Sequence, residues 1–250
     1  MRWWRPSDIL LAVALISLSA VLYSTQLAIF GDPRNTEFYI LQDFAFLPIS
    51  VLVVTLVLER LLELRDYRQR LEKLRILIGT FFSSVGYGLL DRLGQMDRNL
   101  GNYSEGLQAE TGWTETDFET LTSCISGTQF AVRATPRNLD DLRAFLHDRT
   151  DLMIRLLENP MIQEHEAFTE LLRAVFHLIE ELEVRDSFDE LPQSDLAHLS
   201  VDCERVYLRL LGEWVDHLRY LQKHFPYLYS LAVRTNPFNP RASPIVEPAA

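Results

Sequence analysis

Six histidines and a surplus of acidic side chains are the groups in this sequence from which chemistry could be built. Asp195, His198 and Asp202 fall at i, i+3 and i+7, and Glu213 and His217 at i and i+4. Such spacings place each set on one helix face and are compatible with metal ligation. His177 lies near Glu180 and Glu181, but a helical period turns it away from Val175 and toward Glu166, Glu170 and Glu181, on a wet face. A di-metal bundle site needs paired Glu-x-x-His motifs with two further Glu, and Glu-x-x-His does not occur in the chain. His165 and Glu166 lack the second His of H-E-x-x-H and suit the first turn of a helix instead. G-x-S-x-G, the P-loop and G-x-G-x-x-G are also missing. The reading is of a non-enzyme without catalytic residues, metal or cofactor, its His and acid sets being solvated helix sides.

Asp43 is a different matter, because it stands in apolar sequence. From Ile9 to Phe30 no residue is charged, and from Phe38 to Leu58 the one charge is Asp43. At about 1.5 Å per residue each stretch spans roughly 30 Å, the thickness of a hydrocarbon core. The connector GDPRNTE has Gly, Pro and Asn to turn on. The two are expected to form a transmembrane hairpin with spans at about 9–30 and 38–58. The small residues Ser17, Ser19 and Ala20 could mimic a signal-peptide cleavage site, but the apolar run is too long and a second span follows. Arg2 and Arg5 precede the first span, Arg34 alone lies in the connector, and Arg60, Arg65, Arg68, Arg70, Lys73 and Arg75 follow the second. The positive-inside rule then puts both termini in the cytoplasm of a prokaryotic cell, with Trp3 and Trp4 in the aromatic belt of that face.

An ionised group deep in lipid is costly, so Asp43 faces a partner, a water path or the headgroups. Gln42 beside it and Pro48 one turn on would suit an interface between helices. Gln42, Asp43 and Pro48 therefore form the candidate intramembrane polar site, either packing or serving an ion path.

Nearly all of the net charge of −11 falls beyond Leu58, which argues against sequence-independent nucleic-acid binding. Cys124 and Cys203 are too few for a disulfide framework and read as core thiols. Residues 59–98 form an amphipathic juxtamembrane helix in which Tyr67, Leu71, Leu74, Ile78, Phe81 and Val85 keep one face, either as a core helix or as a coiled-coil stalk that joins two copies. Its GTFFSSVGYG segment pairs Gly79 with Ser83 and Ser84 with Gly88, which would let another helix come close. Gly79, Phe81, Phe82, Ser83 and Gly86 are the candidate helix-packing site, an apolar ligand pocket being the alternative.

Residues 99–234 are expected to be a cytosolic α-helical bundle, so the fold class is all-α. Residues 99–112 read as a loop, and Thr116 with Glu119 as a capping box. One helix then runs from Pro136 to Asn159 with Leu139, Leu142, Leu146, Met153 and Leu156 buried. The next carries Phe168, Leu171, Leu172, Val175, Leu178, Ile179 and Leu182 on one stripe. The last, capped by Ser194 or Asp195, steps through Tyr207, Leu211, Trp214, Leu218, Leu221, Phe225 and Leu228, with a kink or restart at Pro226. The proline-rich residues 235–250 are expected to be disordered.

QDFAFLPI, FFSSVG and YSLAVRTNPF together resemble an uncharacterised group of prokaryotic two-span membrane proteins with a helical cytosolic region. That resemblance implies a topology and no residue role. The functional expectation is a membrane-anchored helical scaffold or signal-transmitting module. Its expected partners are the lipid bilayer, a second copy through the juxtamembrane helix, or another protein. The rival expectation is a subunit of a conducting or transport assembly that uses Asp43.

Overall fold

The computed structural model describes residues 6–31 and 33–246. Arg2, Trp3, Trp4 and Arg5 of the orientation argument, and residues 247–250 of the expected tail, lie outside the described residues. The described residues are all-helical apart from loops and one isolated antiparallel bridge between Asp97 and Val132. The chain divides into two units, Met1–Arg68 and Gln69–Ala250.

In the first unit, α1 (Pro6–Phe30) leads through Gly31 to α2 (Pro33–Phe81). Gly31 has φ 59°, a left-handed conformation that side chains disfavour, and its N–H still reaches the Leu27 carbonyl at 2.9 Å. The glycine thus ends α1 as a C-terminal cap. Except for Ile40, every large apolar side chain from Phe38 to Leu58 is exposed. Pro48 sits inside α2 without ending it.

In the second unit the buried stripe of α2 starts at Leu74 and continues through Ile78 and Phe81, whereas Tyr67 and Leu71 are exposed. A π-helical turn, Phe82–Gly86, joins α2 to α3 (Tyr87–Met96). The segment expected as a loop contains α4 (Leu100–Tyr103) and a 3₁₀ turn, Ser104–Leu107. Next, α5 (Glu115–Gly127) is capped by Thr114, whose N–H meets Asp117 Oδ2 at 2.6 Å. The capping box therefore lies two residues before the predicted one, where extended backbone at Thr114 frees it to cap. The single helix expected up to Asn159 is two, α6 (Pro136–His147) and α7 (Thr150–Leu157), parted where Arg149 Nε donates to the Ser84 carbonyl at 2.9 Å.

After the short α8 (Pro160–Gln163) come α9 (Glu166–Glu183), α10 (Gln193–His224) and α11 (Pro226–Arg234). His165 Nδ1 accepts from the Phe168 N–H at 3.2 Å and starts α9. All seven stripe residues of α9 are buried, as are Tyr207, Leu211, Trp214, Leu218 and Leu221 of α10. Pro192, not Ser194 or Asp195, precedes α10, because Asp195 is held by Arg185 at 2.8 and 2.9 Å. Pro226 restarts the helix as α11, and Leu228 is turned outward. Cys203 is buried and Cys124 partly exposed, both free thiols.

The start of the tail departs from expectation at Asn236 and Phe238. Asn236 donates to the Leu107 carbonyl at 2.9 Å and accepts from the Phe238 N–H at 2.9 Å, while Phe238 stands edge-on to Trp214. Proline denies this segment a helix, but Asn turns satisfy its backbone and one Phe anchors it in the core.

Candidate functional site

The segment singled out as FFSSVG does form a distinctive structure, though not the one foreseen. Phe81 and Phe82, adjacent in sequence, are both fully buried, Phe81 edge-on to Phe168 and Phe82 stacked on His217. A regular α-helix turns neighbouring side chains about 100° apart, and the wider π turn gives the register change that seats both. Two hydroxyls bond back to nearby carbonyls: Thr80 Oγ1 donates to the Ile76 carbonyl and Ser83 Oγ to that of Thr80, each at 3.0 Å.

Of the glycines expected to allow close approach, Gly86 and Gly88 do so and Gly79 does not. A Cβ on Gly86 would lie 2.5 Å from Phe82 Cδ1, and one on Gly88 2.6 Å from Phe145 Cζ. At Gly79 the one neighbour within 4 Å is His217 Cε1, 3.8 Å away, and Ser83 is exposed. Gly79 and Ser83 thus line a cavity of about 540 Å³ instead of a helix contact. Its other walls come from His217, Tyr220 and Leu221 of α10 and from Leu228, Leu231 and Ala232 of α11. The small residues open space because no helix fills it.

Glu213 and His217, expected on a wet face, are both buried. Burial first, then the Arg75 guanidinium, lowers the His217 pKa to about 4, so the ring is neutral at pH 7. Burial, aided by Asp216 and opposed by Arg75, raises Glu213 to about 7. His217 Nδ1 and Tyr87 Oη are shielded from solvent with no hydrogen-bond partner, and both residues line the cavity. Burial also raises the Tyr87 pKa. Sequence reasoning missed Tyr87 and Arg75 as site residues, since neither breaks a pattern.

The other acid–histidine set is organised by arginines. Asp202 is buried, with Oδ1 2.5 Å from Arg205 Nη1 and Oδ2 3.3 Å from His198 Nε2. His177 is half-exposed, 3.8 Å from Asp202 Oδ2 and 3.9 Å from Glu181. Arg185 binds Glu181 and Asp195 together and pulls both carboxyls below their usual range, chiefly through hydrogen bonds. Among the described residues no group of three or more His, Cys, Asp or Glu is arranged to hold a metal ion.

In the first unit, Tyr23 Oη donates to Asp43 Oδ2 at 2.5 Å. Ser19, Leu22, Gln26 and Tyr39 lie around the same pair. Gln42 and Pro48 are exposed, and Gln42 is beside Asp43 at a shallow hollow without joining that bond. The partner of Asp43 is therefore Tyr23, twenty residues earlier.

Two family models match the chain, one described as the N-terminal helical domain of MJ1433, over residues 4–62, and one as the C-terminal helical domain of the uncharacterized protein MJ1433, over residues 70–234. A Methanocaldococcus jannaschii protein, described as uncharacterized protein MJ1433, is 38% identical over 239 residues, 96% of each chain. The chain belongs to the MJ1433 family. No solved structure matches it. The division between the MJ1433-family domains brackets Arg68 and Gln69, where the two units meet in sequence. Tyr23 and Asp43 belong to the N-terminal family domain, and the cavity lining from Arg75 to Ala232 to the C-terminal one, with Thr235 one residue beyond it.

Proposed function

We propose that this chain is a membrane-anchored helical module, a scaffold or signal transmitter, and not an enzyme. One observation carries the reading: α2 contains a span-length stretch of mean hydropathy 2.1 of which nothing is buried. A soluble protein rarely leaves a continuous apolar patch of that extent in water, whereas lipid accepts it. The apolar helix Val13–Ile29 supplies a second stretch. Its hydroxyls suit lipid, since Ser24 and Thr25 donate to the Ala20 and Val21 carbonyls at 2.8 Å and Tyr23 to Asp43. The Lys and Arg distribution supports cytoplasmic termini in a prokaryotic cytoplasmic membrane. Leu74, Ile78 and Phe81 on the same helix are core residues of the second unit, so displacement of α2 would be felt there.

The Tyr23–Asp43 bond supports a packing role for Asp43 over an ion path, because the carboxylate already has a partner. Exposed Leu61, Leu62, Leu64, Tyr67 and Leu71 support self-association along α2.

Alkaline carbonate extraction of native membranes, with protease protection of tags at both ends, tests the anchor. The chain should stay in the pellet with both tags digested only in inside-out vesicles. Release into the supernatant would remove the proposal.

A further inference from the structure

We propose that the cavity beside the π-helical turn binds a single-chain amphiphile with an acidic head, its apolar tail against α10 and α11 and its acid on Arg75. The wall is apolar over most of its extent, and Ile76, Leu228 and Leu231 remain exposed although they border it. Bare aliphatic side chains around a cavity of this size are what an apolar tail would cover.

The head group is indicated by Arg75. Its guanidinium lies 5.0 Å from the Tyr220 ring centroid, and among the described residues no carboxylate stands in an ion pair with it. The other ionisable base of the lining, His217, is neutral at pH 7. A permanent cation on an apolar wall, felt by the buried Glu213 carboxyl but in no ion pair with it, selects an anionic head, and guanidinium geometry matches a carboxylate or phosphate.

Two shielded, unpartnered atoms give the site a polar floor. Tyr87 Oη can donate, and His217 Nδ1 can donate or accept by tautomer. The place of a Cβ on Gly79 lies 3.8 Å from His217 Cε1, the ring carbon next to Nδ1. A ligand oxygen beside Gly79 would approach the ring from that side.

Isothermal titration with sodium dodecanoate is the test, using the full chain in amphipol to avoid competing detergent. One dodecanoate should bind per chain, with affinity rising about fourfold per methylene from octanoate to dodecanoate. Dodecyltrimethylammonium should bind at least tenfold more weakly, and Arg75→Gln should lose at least tenfold for dodecanoate at an unchanged Tm. Gly79→Leu, which fills the cavity, should abolish binding. Arg75 is partly exposed, so its variant carries the test if Gly79→Leu does not fold. Displacement of dodecanoate by an anionic lysophospholipid would name a lipid head as the source, and failure to displace it would name a free acid, each within the proposal. No saturable binding, equal binding by Arg75→Gln, or a dimer that Gly79→Leu dissociates while dodecanoate does nothing would each overturn it.

Discussion

Phe82 lies face to face with His217, ring centroids 4.6 Å apart and planes 8° from parallel. The stack joins the π turn to α10 and keeps the imidazole out of water, which is why His217 is a neutral packing partner here and not a solvated base. It also fixes the ring that sits over Gly86.

Glycines around this stack should respond differently to one added carbon. Gly86→Ala and Gly88→Ala force aside Phe82 and Phe145, whose atoms lie 2.5 and 2.6 Å from the new Cβ, and should each cost about 1–3 kcal/mol. Gly79→Ala meets only an ordinary contact, and Gly212→Ala in α10 meets nothing within 4 Å. Both helical sites should be neutral or gain up to about 1 kcal/mol. Urea unfolding of the four variants checks the order, and a Gly86→Ala midpoint at the wild-type value would mean that the ring is not held.

Glu213 and His217 should impose opposite pH dependences on stability. Glu213 keeps its proton in the fold up to about 7 against an ordinary 4.5, so its contribution is lost as pH rises from about 4.5 to 7. His217 stays neutral down to about 4 against 6.5, so its contribution is lost as pH falls through that window. Each amounts to at most about 3 kcal/mol, and they offset one another where the windows overlap. Glu213→Gln should gain on wild type progressively from pH 4.5 to 7, and His217→Phe from pH 6.5 down to 4. A difference from wild type that stays flat between pH 4 and 8 would refute the assignment for that residue.

Burial of long stripes was legible in the sequence, because α9 repeats an apolar residue on one face for five turns and neighbouring charges leave no second choice. Breaks were harder. Arg149 parts α6 from α7 through bonds to the Ser84 and Phe145 carbonyls, partners that no local pattern announces. The candidate segment at Gly79–Gly86 was found by its small and aromatic residues, yet their division between clash and cavity depends on where the Phe82 ring and α11 lie. Glu213 and His217 were misplaced for a related reason: polar side chains at i, i+4 are usually wet, and burial of both came from packing against distant residues. Asp43 was noticed as a lone charge, whereas Tyr23 passed as one more residue in an apolar helix.

The segment after α11 offers a check on a composition argument that failed. Phe238→Ala removes a buried ring packed on Trp214 and should cost about 3–5 kcal/mol. Asn236→Ala leaves the Leu107 carbonyl and the Phe238 N–H without their partner and should cost about 1–3 kcal/mol. Thermal unfolding followed by circular dichroism measures both, and two silent variants would restore the view of a disordered tail.

The last prediction concerns the carboxylate in α2. Asp43→Asn keeps an acceptor for the Tyr23 hydroxyl and removes only the ionisable group. If the pair packs two helices, Asn should leave membrane level, oligomer size and the growth phenotype of a complemented deletion strain near wild type. Tyr23→Phe and Asp43→Leu each break the bond, and hydrogen bonds between helices in lipid are worth about 0.6–2 kcal/mol, so these two should lower the unfolding midpoint in mild detergent by a similar amount. A conducting subunit would behave otherwise: Asn would abolish the phenotype at normal level and assembly, and Tyr23→Phe would spare much of it. That outcome would replace the scaffold reading with the transport one, because loss of charge alone cannot disturb a contact whose hydrogen bond survives.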